Sequence, residues 1–222
     1  MYKGRYSPDR EGICFAGGKW NLDEYKGFIP DNDGIVPITE EEYFSDDIVE
    51  KFIEFIRYVF GDKYLEDNLS FIASALGNKG TPRERLRKYF CNEFFADHCK
   101  MYSKKPIYWL FDSGKKNGFK CLIYIHRYQA DTLARIRTDY VHELQSRYRT
   151  AIDDIEKRIA GASGNEKVKL EKNQIKLKEQ DDELHKYEEQ IHHLADQMIE
   201  ISLDDGVKNN YAIFENVLAV LK

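Results

Sequence analysis

The stretch that decides the fold reads DTLARIRTDYVHELQSRYRTAIDDIEKRIA over residues 131–160. It breaks at GASGN over 161–165 and resumes as EKVKLEKNQIKLKEQDDELHKYEEQIHHLADQMIEI over 166–201. In the first part Leu133, Ile136, Tyr140, Leu144, Tyr148, Ile152, Ile155 and Ile159 recur at steps of three or four, which puts them on one face of a helix. In the second, Leu170, Leu177, Leu184, Ile191 and Met198 recur every seven residues. Tyr187, Leu194 and Ile201 fill a second seam, whose earlier positions hold the polar Asn173 and Gln180. Ser163 and Glu166 supply a capping-box pair for this second helix. Two heptad helices joined by a short Gly-containing break predict an antiparallel, coiled-coil-like helical hairpin over 131–203. About thirty residues per arm span roughly 45 Å at about 1.5 Å per residue. Asp204-Asp205-Gly206 ends the second arm. The remaining segment, 204–222, is expected to carry a short helix near 210–221 that packs back on the base.

Upstream of the hairpin the signals are mixed. Residues 1–44 are rich in Gly, Asp and aromatics, and predict loops with a short strand at 34–39. Ser45 suits the cap of a helix that starts at Asp46, whose apolar Ile48, Phe52, Phe55, Ile56 and Val59 follow helical spacing, with Gly61 as its stop. A second helix is expected over 65–76. Thr81-Pro82-Arg83-Glu84 combines an N-cap, a first-turn proline and a capping-box glutamate, for a helix running to about His98. Residues 107–111 and 119–128 read as strands joined by the turn at 112–118. The expected class is therefore α+β: a small mixed helix and β-hairpin domain over 1–130, followed by the long antiparallel helical hairpin.

The 222 residues carry a net charge of −5, with 42% hydrophobic and 33% charged side chains. That composition supports a packed core and long solvated helices. No apolar run reaches the roughly 18 residues of a membrane span. The opening Met1-Tyr2-Lys3-Gly4-Arg5-Tyr6 leads into no apolar secretory region. Cys14, Cys91, Cys99 and Cys121 lack CxxC spacing and read as free thiols of a cytoplasmic protein.

The charge is unevenly distributed. Residues 1–78 sum to −8, residues 79–137 to +9 and residues 138–222 to −6. The basic middle supplies candidate nucleic-acid contacts: Arg83, Arg85, Arg87, Lys88, Lys100, Lys104, Lys105, Lys115, Lys116, Lys120 and Arg127. Asn117, in the hairpin turn with Lys115 and Lys116, is suited to base edges as well. A rival reading of the same residues is that the lysines flank a strand end, the turn is an ordinary solvated one, and Tyr108, Trp109 and Phe111 are core.

Nothing in the sequence forms a convincing catalytic or metal centre. Cys91, His98 and Cys99 lack standard zinc spacing, and the adjacent His192 and His193 point apart on a helix. The carboxylates fall mainly on helix surfaces. Ala16-Gly17-Gly18 is isolated from any strand-to-helix pattern.

Several segments resemble a known family. Gly34-Ile35-Val36-Pro37-Ile38-Thr39, Asp46-Asp47-Ile48-Val49 and Pro106-Ile107-Tyr108-Trp109-Leu110-Phe111-Asp112-Ser113-Gly114-Lys115-Lys116 are similar to the carboxy-terminal region of PglX-like adenine-specific DNA methyltransferases of BREX phage-defence systems. The likeness continues through Tyr124-Ile125-His126-Arg127-Tyr128 and Arg135-Ile136-Arg137-Thr138-Asp139-Tyr140. It ends at Leu203-Asp204-Asp205-Gly206-Val207-Lys208-Asn209-Asn210-Tyr211. The Pro-Ile-Tyr-Trp and Asp-Asp-Gly-Val-Lys segments also resemble related single-chain restriction-modification enzymes. In this order and spacing the motifs cover about 30–222.

The resemblance implies a part that recognises and positions double-stranded DNA, with a helical spacer. It also implies a catalytic half elsewhere in the same polypeptide, carrying an Asn-Pro-Pro-Tyr motif for the flipped adenine and a loop for S-adenosylmethionine. No two of Pro8, Pro30, Pro37, Pro82 and Pro106 are adjacent. This chain is therefore expected to hold no cofactor and to be inactive alone. The competing expectation is a coiled-coil module that docks another protein of the defence complex through its acidic hairpin.

Overall fold

The computed structural model describes Phe28, Asp31 and residues 33–77 and 79–221. Cys14, the Ala16-Gly17-Gly18 run and most of the expected loop region before residue 33 lie outside the described residues.

A small antiparallel sheet divides two helical layers. Its strands are β1 (Ile35–Pro37), β2 (Tyr108–Asp112) and β3 (Lys120–Tyr124), in the order β1-β3-β2. Trp109 faces Ile123 across the β2–β3 ladder, and Val36 faces Leu122 across β1–β3. Successive strand residues point to opposite faces. Ile35, Trp109, Phe111, Cys121 and Ile123 enter one core, while Val36, Leu110 and Leu122 enter the other. The free edge of β2 is covered by the chain end: Asp112 N–H donates to Val217 O, Ala219 N–H donates to Leu110 O, and Phe111 bridges Leu218. An uncovered edge would be a template for unwanted pairing.

The second core is closed by α1 (Ile48–Phe60), α2 (Leu65–Leu76), α3 (Pro82–Asn92) and α4 (Phe94–Met101). The first helix is capped by Asp47, not Ser45: the buried carboxylate accepts from Val49 N–H at 2.9 Å. The capping box of α3 forms as the sequence anticipates. Thr81 Oγ1 accepts from Glu84 N–H, and Glu84 Oε2 accepts from Thr81 N–H at 2.7 Å. The expected single helix to His98 is broken at Glu93, whose carboxylate pairs with Arg85. The second strand stops at Tyr124 and passes into a 3-10 turn, Ile125–Arg127, instead of extending to residue 128.

The first core is closed by the helical hairpin. One arm is a continuous helical run made of α5 (Thr132–Arg135), a π segment (Ile136–Val141) and α6 (His142–Gly161). The π segment explains the four-residue steps from Ile136 through Tyr140, Leu144 and Tyr148 to Ile152. A regular α-helix has 3.6 residues per turn, so such a stripe would drift off the face. Widening the first turns keeps the four leading side chains buried together. The other arm is α7 (Gly164–Ala195), with Leu170, Leu177, Leu184, Tyr187 and Ile191 inside. It ends six residues short of the expected Ile201, and Met198 is exposed with φ 46°. Ser163 occupies the N-cap position of α7 but makes no side-chain cap bond, so the second capping box does not form. A last helix, α8 (Val207–Ile213), lies earlier than the sequence suggested.

The core runs across residue 130. Trp109, Phe119, Leu144, Tyr148, Tyr187 and Phe214 belong to one cluster, so the base of the hairpin is a wall of the sheet's own core. Among the described residues no helix is long and apolar enough to cross a membrane.

Candidate nucleic-acid interface

Most basic candidates arise from three local structures: α3, the end of α4 with the turn after it, and the β2–β3 turn; Lys120 opens β3 and Arg127 ends the 3-10 turn. Their positions sort them sharply.

On α3 the arginines alternate in partner. Arg83 donates to both carboxylate oxygens of Glu66, at 2.9 and 3.2 Å. Arg85 is buried; it caps α2 through Leu76 O and pairs with Glu93 at 2.8 Å, which holds the Glu93 carboxyl below its ordinary value. Arg87 donates to Thr39 O and to Asp47, each at 2.9 Å. Burial raises the Asp47 carboxyl, and Arg87 opposes the rise without cancelling it. Lys88 is exposed, but it lines a cleft with Glu40, Glu41, Glu42 and Glu50.

Two more candidates sit in the interior or at its rim. Lys120 is buried, donates to Cys91 O at 2.9 Å and lies 3.7 Å from Asp112. Arg127 is half-buried and pairs with Asp31 at 3.1 Å.

The β2–β3 turn, whose Asn117 the sequence suggests for base edges, is clamped onto the hairpin. Lys116 pairs with Glu179 at 2.8 Å. Asn117, at φ 56°, gives its side-chain amide to Glu40 at 2.9 Å. Gln180 donates to Lys116 O and to Glu40. Burial works against the Glu40 charge, but bonds from Lys176, Asn117 and Gln180 outweigh it and hold the carboxyl below its ordinary value. Gly118 packs so closely on α7 that a Cβ there would stand 2.6 Å from Gln180 O.

The positive block of the sequence is thus largely neutralised by its acidic flanks. Asp31, Asp47, Glu66 and Glu179 all reach it from outside 79–137, as do Asp33 on Arg135 and Glu188 on Arg137. Long-range focusing of an anion needs uncompensated charge. The hairpin does not project away from the basic region but is packed against it.

Four lysines remain available. Lys100 is exposed and lies 3.6 Å from Asp97. Lys104, Lys105 and Lys115 are exposed and make no ion pair among the described residues. The first three surround the tight turn that ends α4, where Ser103 and Lys104 take φ of 51° and 60°. Lys115 lines a cleft of about 430 Å³ together with Asn92, Ala96 and Cys99 of α3 and α4.

The aromatic rivals also separate. Trp109 and Phe111 are core, as one reading held, whereas Tyr108 is 39% exposed. His98, considered as a metal ligand, is buried and its Nε2 accepts from Tyr108 N–H at 3.1 Å. Burial pushes its pKa down. Sequence reasoning missed that His98 fastens the lysine turn to the start of β2. It also missed Glu40, Gln180 and Glu183, which clamp the β2–β3 turn from segments distant in the chain.

Over 99% of its length this chain is 44% identical to a segment of the adenine-specific methyltransferase BrxX of Escherichia coli O9:H4 (strain HS). Over 94% of its length it is 42% identical to a segment of the adenine-specific methyltransferase PglX of Lacticaseibacillus casei (strain Zhang). It covers 19% and 18% of those two proteins, so it spans about a fifth of the length of the curated relatives it matches. No family model matches the chain.

Proposed function

We propose, on the premise that this chain corresponds along nearly all of its length to one segment of the adenine-specific methyltransferases of BREX phage defence, that it is a DNA-engaging part of such an enzyme and not the part that transfers the methyl group. The observation that carries the first half is the group Lys104, Lys105 and Lys115, exposed and without an ion pair among the described residues, joined by Lys100, which is exposed and only loosely paired with Asp97 at 3.6 Å; Lys88 is exposed too but faces an acidic cleft. Exposed ammonium groups on a rigid turn and a clamped hairpin suit duplex phosphates, which position a protein without reading sequence.

The second half rests on the sequence and the connections. The chain has no Asn-Pro-Pro-Tyr motif. Among the described residues no strand passes through a Gly-rich loop into a helix: β1 leads to Glu40-Glu41-Glu42 and β3 to a 3-10 turn. These residues do not fit S-adenosylmethionine, which would belong to a catalytic half of the same polypeptide. The hairpin near its turn exposes Val168 and Ile175 among mixed charges, which favours protein contact, with that half or another defence protein, for its far end. The test is duplex binding by this chain before and after reversal of the four lysines.

A further inference from the structure

Around the lysine turn the aromatic side chains form a connected series. The His98 ring lies 4.6 Å from Tyr102 and 5.5 Å from Tyr108, centroid to centroid. Tyr108 lies 5.3 Å from Tyr124, and Tyr124 lies 5.0 Å from His126. Phe94 stacks on His98 from within, at 5.9 Å. Tyr102 is 36% and Tyr108 39% exposed, and His126 is exposed. Tyr108 and Tyr124 also form one wall of an apolar cleft of about 350 Å³, with Phe52, Phe55 and Phe94 among the others. The acid lining it, Asp31, is paired with Arg127. Lys104 and Lys105 stand within the same turn, between Tyr102 and Tyr108.

The lysines can meet phosphates of a duplex, but the rings find no partner there, because its bases are stacked inward. The combination fits unpaired strands, in which ring surfaces take bases and the ammonium groups take phosphates. We propose that the exposed rings of Tyr102, Tyr108 and His126, with Lys104 and Lys105, form a ridge that binds unpaired, unstacked DNA bases. This rests on the reading above, since an enzyme that extrudes an adenine from a duplex leaves unstacked neighbours behind. The ridge then holds the opened strand while chemistry proceeds elsewhere in the enzyme.

The experiment measures binding of this chain to a fluorescent single-stranded oligonucleotide and to its blunt duplex. Tyr102→Ala/Tyr108→Ala weakens single-strand binding roughly five- to a hundredfold, and leaves duplex binding within about twofold. Tyr102→Phe/Tyr108→Phe retains both, because the rings remain. Photocrosslinking of a 5-iodouracil oligonucleotide to the unmutated chain reads the contact without any variant, and the crosslink falls within 102–108 or 124–126. Unaltered single-strand affinity in the alanine pair, or crosslinks confined elsewhere, overturns the proposal. So does absence of single-strand binding with Tyr102 and Tyr108 shielded from iodination in the full-length enzyme, which assigns the ridge to protein contact. Failure of the unmutated chain to bind duplex, with single-strand binding intact, concerns the earlier reading and leaves this one standing.

Discussion

Gly118 of the β2–β3 turn donates its N–H to Glu183 of α7 at 3.0 Å. The same carboxylate accepts from Ser113 Oγ at 2.8 Å and from Lys116 N–H at 2.9 Å. Tyr148 of α6 donates to Gly118 O at 2.9 Å. Sheet and hairpin are therefore one rigid unit at this turn, and Lys115 is held where the turn places it.

Removing that carboxylate strands three donors. Glu183→Ala should lower unfolding free energy by about 3 kcal/mol, given roughly 1.5–3 kcal/mol for a bond to a charged group and incomplete additivity. Glu179→Ala removes only the half-exposed pair with Lys116 and should cost under about 1 kcal/mol. Urea melts of the two variants decide it; equal losses would show that the turn is not clamped through Glu183.

Arg87 and Asp47 make a buried pair, with the Asp47 side chain fully enclosed. Arg87→Met leaves that carboxylate without its charged partner and should cost about 3–5 kcal/mol at neutral pH. The sign of the pH dependence follows from the raised Asp47 pKa. The folded state holds the proton more tightly than the unfolded state, so this contribution favours folding at low pH and is lost as pH rises through the folded value. Without Arg87 the pKa rises further. The gap between variant and wild type should therefore narrow as pH falls from 7 towards 5, and a gap that widens would refute the assignment.

Two N-caps of similar sequence should behave differently. Thr81→Ala removes a formed capping box and should cost about 1 kcal/mol. Ser163→Ala removes no cap bond and should fall within about 0.5 kcal/mol of wild type. Thermal melts showing equal losses would mean that Ser163 does cap α7 in solution.

Cys91, Cys99 and Cys121 are free and buried. Burial pushes the Cys91 thiol up to about 12 and the other two upward as well. In a Cys14→Ser background a thiolate-directed reagent at pH 8 should find no reactive thiol in the native protein and three after denaturation, because thiolate is the nucleophile. Rapid native labelling would show that the α3–α4 layer opens readily.

The legible part of this architecture was the local part. Thr81 and Glu84 are three residues apart, and the leucine heptads of α7 repeat within one helix, so both patterns appear in a linear string. Even the π segment left a trace, in four consecutive four-residue steps from Ile136 to Ile152. The candidate site was less legible because charge pairing is tertiary. Asn117 meets Glu40, and Lys116 meets Glu179, across 77 and 63 positions of sequence. A local charge sum counts such lysines and arginines as available when the fold has already neutralised them. The aromatic ridge was hidden for the same reason: His98 reaches Tyr108 only once α4 is packed against the sheet.

The central claim is that Lys100, Lys104, Lys105 and Lys115 bring this chain to duplex DNA. Its most direct test is the salt dependence of duplex affinity, by fluorescence anisotropy, for wild type and for the variant with all four changed to Glu. Four phosphate contacts predict a roughly 150-fold loss of wild-type affinity between about 50 and 200 mM salt. The variant, with circular dichroism and melting temperature near wild type, should bind far more weakly and lose that slope. Wild-type affinity and slope in the variant, or no duplex binding by the unmutated chain, would contradict the account.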